Sequence, residues 1–352
     1  MPRLFTAVQR AAILGTAAAG FVLSGCSEST SSPSRVSAPD AASLSQSPDI
    51  MDQTGRHVFH TKQWFENEAR QNPGDARPGG GGGGTNTGIY YHGGLVLGGG
   101  TNVATIYWAV DQIYPGGTAA DKSGGNSLDA SVVGDFLRSL GDSPYFKINS
   151  TYTDANGAPI SSRVTYTQTW APTAGAPSPT SSISDAQMVA LLQSGFNSTA
   201  LTYDESTLYA IFTKDKANLG GGFGTQYCAY HYHGTVMISG VPRTVLYAAM
   251  PYDAAYPGAC TNGTKSPNND VGADAEVNTL AHEIEETTTD GMGTAWWDHR
   301  GYENADKCAW TWGTTYTTAN GGKANMKLGT RDYLVQQNWL NVGSGGCALK
   351  VP

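Results

Sequence analysis

Pro78 and the six glycines behind it, Gly79 to Gly84, divide this chain. Glycine loses more backbone freedom on ordering than any other residue, so an unbroken glycine run is not the interior of a helix or a strand. The folded body is therefore expected to start near Thr85. It would run for about 265 residues, enough for one substantial core. Residues 27 to about 50, rich in Ser, Thr, Pro and Ala, read as a flexible tether. Residues 51–77 carry His57, His60 and Trp64, and their pattern leaves a short helix and a propeptide-like segment equally open. The expected division is a leader at 1–25, a tether at 26–84 and a globular domain at 85–352.

The leader names a compartment. Arg3 and Arg10 are the only charges before Cys26, and Ala11 to Val22 is an apolar run too short to span a bilayer as a permanent helix. Leu23-Ser24-Gly25-Cys26 resembles a bacterial lipobox, which predicts a lipid on Cys26 and an anchor on the extracytoplasmic side of a bacterial membrane. The four remaining cysteines are an even set in an oxidising compartment. Cys228 with Cys260 and Cys308 with Cys347 are favoured because each pair closes a local loop. Without the leader, 19 basic residues face 29 acidic ones. A body this acidic has no phosphate-neutralising surface, so nucleic acid is not an expected partner.

Periodicity predicts a mixed α+β body, a single globular domain. Strands are expected at Gly94–Leu97, Asn102–Val110, Leu208–Thr213, Gly234–Ser239 and Thr244–Met250. A helix is expected over Leu128–Leu140, and another after the capping box Ser184-x-x-Gln187. Asp154-Ala-Asn-Gly157 reads as a hairpin turn.

One segment carries chemistry. In Asp274 to Asp290, Val277, Leu280, Ala281, Ile284 and Thr288 share one helical face. His282 and Glu286 lie one turn apart on the other side, with Asp290 nearby. The pattern is H-E-x-x-E, a variant of the zinc-protease helix in which two ligands flank a general base. It predicts Zn2+ on His282 and Glu286, with Glu283 as base. The third ligand is expected from the acidic stretch Glu303-Asn-Ala-Asp306: Asp306, or Glu303 in its place, with Asp290 a further alternative. Charged residues make up only 14% of the chain, so this concentration of acids stands out. The bland alternative is a solvated acidic helix face.

Other residues have weaker claims. His231 and His233 alternate and would share a strand face, where two imidazoles could bind a metal; a polar strand end beside a disulfide is the preferred reading. His92 reads as a turn residue, and His299 gives no preference. Trp296, Trp297, Trp310 and Trp312 are either core or a stacking platform for a sugar ring.

Taken in order, Tyr91-His-Gly-Gly-Leu-Val-Leu97, Asn102–Trp108, Cys228-Ala-Tyr-His231, Leu280–Asp290 and Gly301–Trp310 resemble the Exordium, or phosphate-induced protein, family. The likeness covers roughly residues 88–350. It implies an extracellular globular protein and no particular reaction. Bacterial relatives resemble H-E-x-x-E-x-x-T-D-P at the helix; here His282, Glu283, Glu286, Thr289 and Asp290 match, with Gly291 in the place of Pro. The plant branch lacks the His and the Glu ligand, so a plant growth role does not transfer together with a metal mechanism. The expected function is a lipid-anchored, extracytoplasmic metal-dependent hydrolase, first of all a zinc peptidase, acting on a peptide or cell-wall substrate. The alternatives are a non-catalytic envelope protein that binds glycan or protein through Tyr and Trp, and a glycosidase using Glu283 and Asp306.

Overall fold

Six strands form one sheet, and its order explains how distant segments meet. The computed structural model describes residues 55–71, 88–108, 131–172, 182–213 and 217–352. In chain order the first elements are β1 (His57–His60), α1 (Lys62–Gln71), β2 (Tyr90–Tyr91), β3 (Thr101–Trp108), α2 (Val132–Leu140), β4 (Val164–Trp170) and α3 (Asp185–Asn197). They are followed by β5 (Thr207–Thr213), β6 (Tyr227–Ile238), β7 (Val241–Met250), α4 (Pro257–Cys260), α5 (Val271–Asp290) and β8 (Trp296–Trp297). The sheet runs β1-β6-β7-β5-β3-β4. Strands β7, β5, β3 and β4 are parallel neighbours, and β6 and β1 are antiparallel additions at one edge.

Burial on both faces accounts for the apolar runs. Val103, Tyr107, Leu208, Ala210, Phe212, Ala229 and Ala248 pack under α2 and α5. Ala104, Ile106, Tyr209, Ile211, Tyr230, Tyr247 and Ala249 pack under α3 on the opposite face. The alternation follows from the two-residue period of a strand. β6 and β7 turn through Ser239 and Gly240, both at positive φ (52° and 79°), as a two-residue hairpin loop with right-handed strand twist requires.

The expected α+β class matches this mixed architecture. The helix after the Ser184 capping box forms with the box intact, and α2 ends before Gly141 as expected. Both disulfides are present as paired above: Cys228–Cys260 and Cys308–Cys347. No helix among the described residues is long and apolar enough to cross a membrane. Cys26 and the leader lie outside the described residues.

Three expectations need correction. Gly94–Leu97 is not a strand; Leu97 N–H donates instead to the Thr288 carbonyl at the end of α5. The turn at Asp154–Gly157 joins only a single bridge between Thr153 and Pro159, and β4 pairs in parallel with β3. The glycine run does not mark the start of the folded body. β1 lies upstream of it and pairs with β6, from His57 opposite His231 to His60 opposite Tyr227. Phe59 and Phe65 are buried with the Cys228–Cys260 disulfide, Tyr302 and Ala309. Val58 and Phe59 were too short an apolar run to signal a strand; the pairing comes from the open edge of β6.

Candidate metal centre

Helix α5 supplies most of the site. Its N-cap Asp270 accepts a hydrogen bond from the Ala273 amide, at 3.0 Å. Val277, Leu280, Ala281 and Ile284 dock on the sheet as the periodicity requires. The acids do not face solvent, however. Every residue from Gly272 to Asp290 is buried, so the solvated-face reading fails. A helix with no solvent face needs partners for each polar side chain.

Those partners come from three directions. β6 brings in His231, β1 brings in His57, and the loop before Cys308 brings in Glu303 and Asp306. That loop is held firmly. Asp298 accepts from the Arg300 and Tyr302 amides and pairs with the Lys307 ammonium at 2.7 Å. The Cys308–Cys347 disulfide closes immediately after it.

The three expected ligands converge. His282 Nε2 lies 2.9 Å from Glu286 Oε1 and 3.5 Å from Asp306 Oδ1. Two donors on one tetrahedral zinc stand about 3.4 Å apart, given zinc–ligand distances near 2.1 Å. The Asp306 amide also donates to Glu286 Oε1, at 3.0 Å. On the far side of the imidazole, Gln336 Nε2 lies 3.0 Å from His282 Nδ1 and 2.9 Å from the Ala305 carbonyl. In this orientation the Gln336 amide donates to the Ala305 carbonyl and faces Nδ1 with the same nitrogen; a metal on Nε2 would put the proton on Nδ1, and Gln336 would have to turn its oxygen there and give up the Ala305 bond.

A second set stands beside the first. His231 Nδ1 is 3.1 Å from Glu283 Oε2 in a hydrogen bond and 3.6 Å from Glu286 Oε2. Glu303 does not substitute for Asp306; it faces His57 and His231. Asp290 joins neither set. Its Oδ1 accepts from the Thr294 and Ala295 amides, at 2.5 and 2.6 Å, and shapes the turn after α5. Glu285, which follows Ile284, is held by Asn149 and Asn338.

Electrostatics follow from burial. Desolvation and the Asp306 charge raise Glu286 from 4.5 to about 7, against the lowering effect of His282 and of the Asp306 amide. Desolvation also drives Glu283 and Glu303 well above the usual carboxylate range, with neighbouring carboxylates adding to the rise for both. His57 is pushed down to about 4, chiefly by burial, and His231 falls for the same reason. Burial opposes a charge on His282 too, but Glu286, Asp306 and Glu283 outweigh it, and the net direction is up.

The tryptophans are used in packing. Trp296 is buried and donates to the Thr153 carbonyl. Trp297 stacks on His92 with centroids 3.4 Å apart, and Trp310 stacks on Phe59 at 4.7 Å. Trp312 is partly buried and meets Trp310 edge-on at 6.2 Å. His299 is exposed, and His233 is only partly buried.

Residues 89–332, more than half of the chain, match the phosphate-induced protein 1 conserved region. The chain belongs to that family. The Arabidopsis thaliana protein EXORDIUM-like 3 is 31% identical over 166 residues, covering 40% of this chain and 48% of the plant protein. The chain thus matches about half the length of that relative. No solved structure matches. The family region includes His231, α5, Glu303 and Asp306, but not His57, which lies upstream of it.

From sequence, His231 fits a polar strand end better than a ligand, and His57 has no assigned role. The available signal was their type: two of only seven histidines, each beginning or interrupting an apolar run.

Proposed function

We propose that this protein is an exported, lipid-anchored metalloprotein in which His282, Glu286 and Asp306 hold one divalent cation. The observation behind this reading is a set of orphaned donors: His282 Nε2 and Asp306 Oδ1 are sealed from solvent with no hydrogen bond. Burying ionisable groups this way is costly unless a counter-charge is present. A mixed imidazole and carboxylate set suits zinc. Catalytic zinc keeps a position open to water, whereas structural zinc is closed. These three ligands would leave one position, but all three side chains are buried, so the centre would hold the fold together rather than meet substrate. It would tie α5 to the Gly301–Cys308 loop outside the cell, where a lipid on Cys26 would hold the chain at the membrane.

Elemental analysis of protein purified without added metal tests this. Zinc should be present, and His282→Ala should lose one equivalent. Wild-type protein that stays metal-free even with zinc supplied sinks the reading.

Hydrolysis of a peptide is the second reading, favoured by Glu283 Oε1, which is buried beside the ligands without a hydrogen bond. A bound ion would supply Lewis acidity, and Glu283 would hold a proton at Oε1. β1 stands in the way, because the Phe59 ring lies 4.1 Å from the His282 ring. Substrate entry would need β1 withdrawn. On this reading Glu283→Gln keeps its metal and loses hydrolysis; a fully active Glu283→Gln removes the mechanism. Glu283 and Asp306 are both buried, so as they stand they do not flank a sugar.

A further inference from the structure

His57 and His231 are cross-strand partners on β1 and β6, so their side chains share a face. Their rings stack with centroids 5.1 Å apart. Glu303 Oε2 lies 2.8 Å from His57 Nδ1 and 3.7 Å from His231 Nε2. These contacts lack hydrogen-bond geometry. His57 Nδ1, His231 Nε2 and both Glu303 oxygens are sealed from solvent without a hydrogen bond. One donor atom from each residue lies within 4.8 Å of the other two.

The other nitrogen of His231 is already engaged. Its Nδ1 meets Glu283 Oε2. Its Nε2, which makes no hydrogen bond, lies 3.7 Å from Glu303 Oε2 and is the nitrogen left for another partner. Carboxylate, imidazole and metal in this sequence is the usual way a ligating histidine is oriented.

Burial points the same way. Glu283, Glu286, Glu303 and Asp306 are four carboxylates buried together with the imidazoles of His57, His231 and His282, a set that offers donors for two cations rather than one.

We propose that His57, His231 and Glu303 form a second divalent-cation site, giving the protein a two-metal centre. Glu286 lies between the sites, with Oε1 near His282 and Oε2 near His231. Glu283 is a positioning residue for His231. The chain upstream of the glycine run then has a stated role: it carries a ligand across to the family domain.

Metal stoichiometry of the full mature chain, read by elemental analysis and native mass spectrometry after zinc loading, tests the proposal. Wild type should hold two equivalents. His57→Ala and Glu303→Gln should each retain one, and His282→Ala should also retain one, from the other site. A wild type with one equivalent, lost in His282→Ala and kept in His57→Ala, overturns the second site and leaves the first standing. Two equivalents kept in both His57→Ala and Glu303→Gln also overturn it. No metal in wild type overturns both. Glu303→Gln preserves shape, so it carries the test where His57→Ala fails to fold. Cobalt loading of Glu303→Gln adds a spectrum of the remaining site alone.

Discussion

Gly293 lies against His57: a Cβ built on Gly293 would come within 2.0 Å of His57 Nε2. Gly293 also sits at φ +67°, where a side chain is strained. The turn after α5 therefore sets how deep the His57 ring can lie. Gly293→Ala should displace His57 and cost about 1–3 kcal/mol. The expected outcome is one metal equivalent instead of two, with a lowered melting temperature. Unchanged stoichiometry would show that His57 is not a ligand.

Removing residues 1–84 looks harmless from the glycine run, but should be damaging. The cut takes away β1 and α1. It exposes the edge of β6 and deletes buried Val58, Phe59 and Phe65, each worth about 1.5–3 kcal/mol of burial. An open strand edge also invites pairing between molecules. The truncated chain should be insoluble or strongly destabilised, while a chain starting at Gly55 should keep the wild-type melting temperature. Equal stability of both would remove β1 from the folded body.

The pH dependence of the metal-free protein has a definite sign. The folded state raises Glu286 from 4.5 to about 7 and so binds its proton more tightly than the unfolded chain does. That contribution is fully present below about pH 4.5 and is lost as pH rises through about 7. The total is on the order of 3 kcal/mol at 1.4 kcal/mol per unit. Chelated protein should show a falling urea midpoint between pH 5 and 7.5, as order-of-magnitude limits of that window. Zinc competes with the same protons, so zinc-loaded protein should gain most from its metal at the upper end. A chelated protein that grows more stable across this window would contradict the assignment.

Asp306 is two residues from Cys308, and Cys308 is bridged to Cys347. Replacing both cysteines by serine should cost about 2–5 kcal/mol. It should also weaken zinc binding, because the loop would no longer present Asp306 and Glu303 at fixed depth. Competition with a chromophoric chelator reads the affinity, and thermal melts read the stability. A variant that loses stability with unaltered zinc affinity would separate the disulfide from the centre.

Glu283→Gln should leave the His282 site filled and weaken the second site by roughly 10–100-fold, the usual effect of losing a carboxylate behind a ligating histidine. Titration with zinc resolves the two steps. Equal weakening of both steps would argue against a positioning role confined to His231.

Much of this was legible from local pattern. The spacing of Val277, Leu280, Ala281 and Ile284 identified α5. The one-turn spacing of His282 and Glu286 put two donors together, and loop closure paired the cysteines. These features depend on neighbours within a turn of helix or a short loop, which sequence records directly. The tertiary structure decided the rest. His57 reaches the centre only because β6 leaves an edge that β1 fills, a pairing 174 positions apart between His57 and His231. Burial of the acids was equally invisible in sequence, because a run of Glu and Asp reads as solvated until something packs over it. Strand order, not composition, puts three imidazoles and four carboxylates in one sealed space. Their shared burial is the ground for the metal centre proposed above.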